Sequence, residues 1–171
     1  WIDISENGYG ISVLNDCKYG CDIHNGEIGL TMLKSAVYPN PDADKEHHSF
    51  TWSIAPHEGG WREGNTVAKA YVLNNPYQTA VKENEGGNLP VSYSFVQADK
   101  ENVVIEAVKK AEDSDAVIVR LYECYNRRGQ TTLTFPRPVK RAVICNMLEE
   151  EMEEVLCCEV NKVPVQLKPY E

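Results

Sequence analysis

Concentrated positive charge, long apolar runs and recognisable catalytic motifs are all scarce in this sequence. Its 171 residues carry 17 Lys and Arg against 26 Asp and Glu, a formal net charge of −9. The basic residues form no long cluster; Lys109-Lys110 and Arg127-Arg128, for example, are only pairs. Phosphate binding needs a basic face, so nucleic acid is excluded as a partner. No apolar run approaches the ~20 residues of a membrane-spanning helix, and there is no signal-like start, so no membrane partner is expected. The absence of any Asn-x-Ser/Thr sequon leaves nothing that points to secretion. A glycine-rich phosphate loop and a serine elbow are both missing. The chain starts at Trp1 rather than Met and is read as a piece of something longer.

Metal and thiol chemistry are also thinly supported. Six cysteines stand at 17, 21, 124, 145, 157 and 158. Cys17-x3-Cys21 has a spacing that zinc accepts, but no second close Cys or His pair completes a site, and the adjacent Cys157-Cys158 suits neither a zinc site nor a disulfide ladder. Reduced, mostly buried thiols in a cytoplasmic protein are expected. Of the four histidines, His47 and His48 are adjacent and would face opposite ways on a strand. His57 follows Pro56 and reads as a turn residue. Carboxylates are plentiful, yet no spacing singles out a catalytic pair. A Cys17 or Cys124 nucleophile would need a His that no motif supplies.

What is present is period-2 alternation. Ile28, Leu30 and Met32 alternate with Gly29, Thr31 and Leu33; Phe50, Trp52 and Ile54 with Thr51 and Ser53; Leu133 and Phe135 with Thr132 and Thr134; Val163, Val165 and Leu167 with Pro164 and Gln166. Each is a half-buried strand pattern. Segments 103–109 and 116–123 are richer in Val and Ile and read as central strands covered on both faces. Asn25-Gly26 predicts a tight hairpin between 21–24 and 27–34. Asn126 to Gly129 predicts a link between two later strands, and Pro39-Asn40-Pro41-Asp42 and Glu85-Gly86-Gly87-Asn88 predict longer loops. The acidic run 149–154 reads as a charged edge strand or loop. One short helix is expected near residues 63–73, with Val67, Ala70 and Tyr71 on one stripe and Pro76 barring continuation. With 42% apolar and 25% charged residues, the fold class is all-β in the main. The expected architecture is one antiparallel β-sandwich domain of about ten strands over residues 1–171.

Gly8 to Gly20 carries the most local information. Tyr9, Ile11 and Val13 share one strand face, and Gly10, Ser12 and Leu14 the other. Asn15-Asp16-Cys17-Lys18-Tyr19-Gly20 then packs an amide, an acid, a base and a phenol into one turn. Asn15, Asp16, Lys18 and Tyr19 are the candidate contact residues for a polar ligand or another domain. The alternative is that Asn15 and Asp16 merely bond their own turn backbone.

Several blocks in order resemble the C-terminal region of glycoside hydrolase family 38 α-mannosidases. They are residues 8–20, Leu30-Thr31-Met32-Leu33-Lys34-Ser35, Pro41-Asp42-Ala43-Asp44, Phe50-Thr51-Trp52 with Pro56-His57, Trp61-Arg62-Glu63, and Ala70-Tyr71-Val72-Leu73-Asn74. Val108-Lys109-Lys110-Ala111-Glu112, Leu121-Tyr122-Glu123 and Leu167-Lys168-Pro169-Tyr170-Glu171 follow. The Asn-Asp-Cys-Lys-Tyr-Gly form is most similar to the cytosolic-type branch and its bacterial relatives. Cys21 departs from the aromatic residue expected after the turn. The resemblance implies a retaining exo-α-mannosidase as parent, with two carboxylates dividing the displacement into two steps. A divalent metal, usually zinc, grips the hydroxyls of mannose-containing oligosaccharides. It places that machinery in an N-terminal catalytic region absent from this sequence. No catalytic residue, metal or other cofactor is therefore expected in residues 1–171, and the implied partner is the catalytic region of the same polypeptide. Two roles follow. In one, residues 15–19 form part of the active-site wall or the domain interface. In the other, the chain is an independent carbohydrate-binding module, which would want exposed planar aromatics. Trp1, Trp52 and Trp61 are the candidates, and Trp52, in phase with Phe50 and Ile54, reads as core.

Overall fold

The structure is a computed structural model that describes residues 1–81, 86–88, 90–155 and 160–171. Among these the chain is all-β in the main, with twelve strands, every pair antiparallel, and one short helix. It divides into two compact units, residues 1–82 and 83–171. The Cys157-Cys158 pair and Glu85 lie outside the described residues.

The first unit holds β1 (Ile2–Glu6), β2 (Tyr9–Asn15), β3 (Cys21–His24), β4 (Glu27–Leu30), β5 (Trp52–His57) and helix α1 (Thr66–Asn74). β2 is the centre of a three-stranded sheet ordered β1-β2-β5. Its register sorts the side chains by face, because directly paired residues point the same way. Ile2, Val13 and Ile54 form one row, and Ile4, Ile11 and Pro56 the next. The opposite face carries the rows Asp3, Ser12, Ala55 and Ser5, Gly10, His57, with Leu14 beside Ser53. This second, largely polar face is the buried one: Gly10, Ser12 and Leu14 are buried, and α1 packs on it through Thr66, Val67 and Ala70. The apolar face is turned outward. Trp52 and Ile54, expected in the core, are 51% and 55% exposed. The alternation predicts the strand correctly, but which face meets the core depends on what the other elements cover.

Asn25 and Gly26 both take positive φ, 49° and 81°, the geometry of the tight turn that joins β3 to β4. The strand stops at Leu30, short of the alternation expected through Leu33, and residues 31–51 contain no strand. α1 starts at Thr66, three residues later than the expected start at residue 63. Residues 61–65 form a turn, with Asn65 at φ 52° and the Thr66 N–H bonded to the Trp61 carbonyl at 3.0 Å. Val67 and Ala70 are buried as expected and Tyr71 is half-buried.

The second unit holds β6 (Gln97–Ala98), β7 (Val103–Lys110), β8 (Val117–Glu123), β9 (Gly129–Thr134), β10 (Ala142–Cys145), β11 (Glu151–Val155) and β12 (Lys162–Leu167). β9 lies between β12 and β6, and Leu133, Val163 and Leu167 are its buried core. β7 and β8 pair only with each other, across a bulge between Ile105 and Ala107. They are not central strands: a two-stranded ribbon leaves one side open, and Val108 and Val117 are 44% and 51% exposed. The acidic run becomes β11, an edge strand paired with β10, as its charge suggests. Among the described thiols, Cys124 is buried and Cys145 half-buried, but Cys17 and Cys21 are exposed, contrary to the expectation of mostly buried thiols. They sit on either side of a turn, where no sheet covers them.

Candidate functional site

Asn15, Asp16, Lys18 and Tyr19 stand together on the turn that leaves β2. The Asn15 side-chain oxygen accepts from the Lys18 N–H at 2.6 Å, and the Asn15 carbonyl accepts from the Asn74 amide of α1 at 3.2 Å. Asp16 is clamped to Thr51, just before β5. Its carboxylate accepts the Thr51 N–H at 2.9 Å, and its own N–H donates to the Thr51 carbonyl at 3.2 Å. The Thr51 N–H and the Cys17 thiol hold the Asp16 carboxyl below its ordinary pKa, and the same contact pushes the Cys17 thiol up. Asn15 and Asp16 therefore direct side-chain oxygens to backbone. Lys18 is half-buried with its ammonium 4.9 Å from the centre of the Phe50 ring, and the Tyr19 phenol is 94% exposed.

Beneath β2 lies a closed polar cluster that the sequence reading did not assemble. Ser12 Oγ donates to Asp3 Oδ2 at 2.6 Å, and the Thr66 hydroxyl, also 2.6 Å away, is left to donate to Ser12. His57 Nε2 donates to the same Asp3 oxygen at 2.7 Å and stands 3.1 Å from Ser12 Oγ. The side chains of His57 and Asp3 are only 3% and 4% exposed, so His57 is not the turn residue expected after Pro56. It ends β5 facing inward. Burial pushes the Asp3 carboxyl up, but bonds from Ser12, His57 and Ser5 outweigh it and hold its pKa below the ordinary value. A Ser-His-Asp hydrolytic relay needs serine and aspartate on opposite nitrogens of the ring. Here both meet Nε2, and the serine proton points at aspartate, so the cluster holds strands together rather than making a nucleophile. Two glycines leave room for the ring: a Cβ built on Gly10 or on Gly64 would overlap the His57 imidazole. Ser12 and His57 lie 45 positions apart. The only local signal was a serine in phase with Gly10 and Leu14.

A second buried acid sits in the second unit. Glu123 is 1% exposed. Its carboxylate accepts from Asn102 at 2.8 Å, from the Tyr125 N–H at 2.7 Å and from the Tyr170 N–H at 3.2 Å. Burial raises this carboxyl, yet Asn102 and the backbone N–H groups of Arg127, Tyr125 and Tyr170 bring its pKa below the usual glutamate value. The same unit contains a cavity of about 960 Å³ walled by Val117, Val119, Leu133 and Val163. Of its charged lining residues, Arg141 forks onto Glu151 with two 2.7 Å bonds, and Glu149 meets Lys109 at 2.7 Å. The cavity lining mixes aliphatic side chains with Tyr93, Phe95, Asp113 and Arg137. Among the described residues, no three His, Cys, Asp or Glu side chains converge to hold a metal.

Residues 1–42, which include the turn and β2, match the glycosyl hydrolases family 38 C-terminal domain. Residues 102–171, which include Glu123 and Tyr170, match the family 38 C-terminal beta sandwich domain. The chain belongs to the C-terminal region of glycosyl hydrolase family 38. This family 38 segment is 34% identical over its full length to alpha-mannosidase G of Dictyostelium discoideum, of which it covers 16%. It is 33% identical over 87% of its length to human alpha-mannosidase 2C1, of which it covers 14%. An alpha-mannosidase of Saccharomyces cerevisiae is 28% identical over 99% of the segment, which spans 17% of that relative. In fold it resembles an alpha-mannosidase from Enterococcus faecalis, with a TM-score of 0.73 at 18% identity, over 99% of this chain and 20% of that one. A second family 38 structure from the same organism gives 0.72. No helix among the described residues is long and apolar enough to cross a membrane.

Proposed function

We propose that this chain is the C-terminal part of a retaining exo-α-mannosidase of the cytoplasm. In this reading the turn 15–19 stands against the catalytic region and forms part of the wall beside the terminal mannose. One observation carries it: the turn is clamped from behind, through Asp16 to Thr51 and Asn15 to Lys18, while the Tyr19 phenol projects outward. A side chain held on a rigid support is what positioning a substrate or a neighbouring domain requires, and aromatic and amide groups suit sugar hydroxyls. Among the described residues no three His, Cys, Asp or Glu side chains converge to hold a metal. The nucleophilic carboxylate, its acid partner and the divalent ion, zinc by the resemblance, belong to the catalytic region. When bound there, the ion would grip vicinal hydroxyls of the sugar.

Asp16→Ala, Lys18→Ala and Tyr19→Ala in the full-length enzyme test this reading. Each is expected to lower kcat/KM for an aryl α-mannoside; kinetics and stability untouched by all three would remove the turn from both wall and interface. The exposure of Trp52, unexpected for a core residue, also favours an independent carbohydrate-binding module. Titration of the isolated chain with mannose and mannobiose decides between them, and affinity tighter than millimolar would favour the module.

A further inference from the structure

The β1-β2-β5 sheet is inverted. An antiparallel sheet with one wet face normally keeps its apolar side inward and its polar side in water. Here the face carrying Asp3, Ser12 and His57 is buried under α1. The face carrying Ile4, Ile11, Val13, Ile54, Tyr9 and Trp52 looks outward. Tyr9, Trp52 and Ile54 on it are each at least half exposed. The polar side is committed to its place by a closed set of hydrogen bonds: among the described residues no buried side-chain nitrogen or oxygen lacks a partner. The sheet cannot turn over without breaking Ser12 to Thr66 and His57 to Asp3, which tie three strands and the helix together. It is therefore a middle layer with one cover in place and one missing.

We propose that this outer face is a docking surface, covered in the full-length polypeptide by an apolar β-layer from the part of the enzyme beyond these 171 residues. The occupant follows from three observations. The chain spans only 16% and 14% of two of the relatives it is similar to, so most of such a polypeptide is available as cover. The surface is a three-stranded sheet face whose central rows pair β-branched side chains across the strands, the kind of face that a second sheet packs on at a spacing of about 10 Å. The rows Ile2-Val13-Ile54 and Ile4-Ile11-Pro56 are uncharged, and the one charged side chain on the face is Glu6, opposite Tyr9 at its edge, so an acidic or basic peptide finds little complement there. This rests on the reading of the chain as part of a longer enzyme, and it adds a surface distinct from the turn 15–19.

Hydroxyl-radical footprinting of unmodified protein tests it, read by mass spectrometry at Trp52 and Tyr9, with the exposed Tyr77 (81%) as internal standard. Trp52 is expected to be oxidised readily in the 171-residue chain and at least about tenfold more slowly in the full-length enzyme, with the Tyr77-normalised rate as reference. Equal rates in the two would overturn the proposal. Slow oxidation in the 171-residue chain as well, with that chain monomeric by sedimentation, would mean that the face is already covered within the chain, and also overturns it. Protection that appears only as the isolated chain dimerises would assign the face to a second copy instead. Ile54→Lys gives an independent reading: an unchanged melting temperature in the isolated chain and a drop of several degrees in the full-length enzyme. Enzyme that hydrolyses mannosides normally while Trp52 stays fully reactive would reject the surface and leave the functional reading intact. Protected Trp52 in an enzyme without mannosidase activity would do the reverse.

Discussion

Room for a buried imidazole is made by its neighbours. His57 lies where Gly10 of β2 and Gly64 before α1 carry no side chain, and its ring reaches Asp3 only because of that space. Gly10→Ala places a methyl group against the ring and is expected to destabilise the fold by about 1–3 kcal/mol, the usual cost of overpacking a core, measured by urea unfolding. Asp3 and Glu123 are the buried carboxyls that contribute to how the molecule responds to acid. Both carboxyls are held below their ordinary values of 3.8 and 4.5. A depressed folded-state pKa contributes stability that is present above the unfolded value and lost as pH falls through the folded one. Thermal stability is thus expected to be flat above about pH 5 and to fall below pH 4.5, with Glu123 entering first. Glu123→Gln removes one titrating group and turns an amide N–H₂ toward a backbone donor. It should lower the melting temperature at pH 7 by the equivalent of about 1–3 kcal/mol and flatten the acid limb of the profile, as followed by circular dichroism.

At the scale of elements, strand period and turn chemistry were legible and side-chain destination was not. Asn25-Gly26 gave its hairpin because positive φ at both positions is a local demand. The stripe Val67, Ala70 and Tyr71 located α1, although the left-handed Asn65 delays its start. β1 was not anticipated, since Ile2 and Ile4 alternate with polar residues over too few positions to stand out. Trp52 and Ile54 were assigned inward because apolar alternation ordinarily marks the core face. The partner that would satisfy them lies outside the described elements. The cluster of Asp3, Ser12, His57 and Thr66 was invisible for another reason: its members meet only through strand pairing and helix docking, across separations of up to 54 positions. β11 shows charge acting as protection. Replacing both Glu151 and Glu153 by Val removes the charge that blunts an edge strand and the Arg141 fork. Concentration-dependent light scattering at neutral pH should rise in the double variant and remain flat in the parent.

For the whole molecule, the proposed function divides chemistry and support between this segment and the rest of the enzyme. The isolated 171-residue chain is expected to leave an aryl α-mannoside unhydrolysed, with or without added zinc, whereas the full-length enzyme turns it over and loses activity on chelation; release of the chromophore measures both. Turnover by the isolated chain would place catalytic groups inside it. At its C-terminal side the second unit closes on Glu123, which grips the tail by the main chain: the Tyr170 N–H meets the carboxylate and the Glu171 carbonyl accepts the Glu123 N–H at 2.7 Å. The Tyr170 ring is 62% exposed and its φ is +58°. Evolution is thereby left free with the side chain and bound on the backbone. Among homologues, position 170 should drift through glycine, asparagine and surface aromatics, while proline, which can neither donate there nor adopt a positive φ, stays out of it.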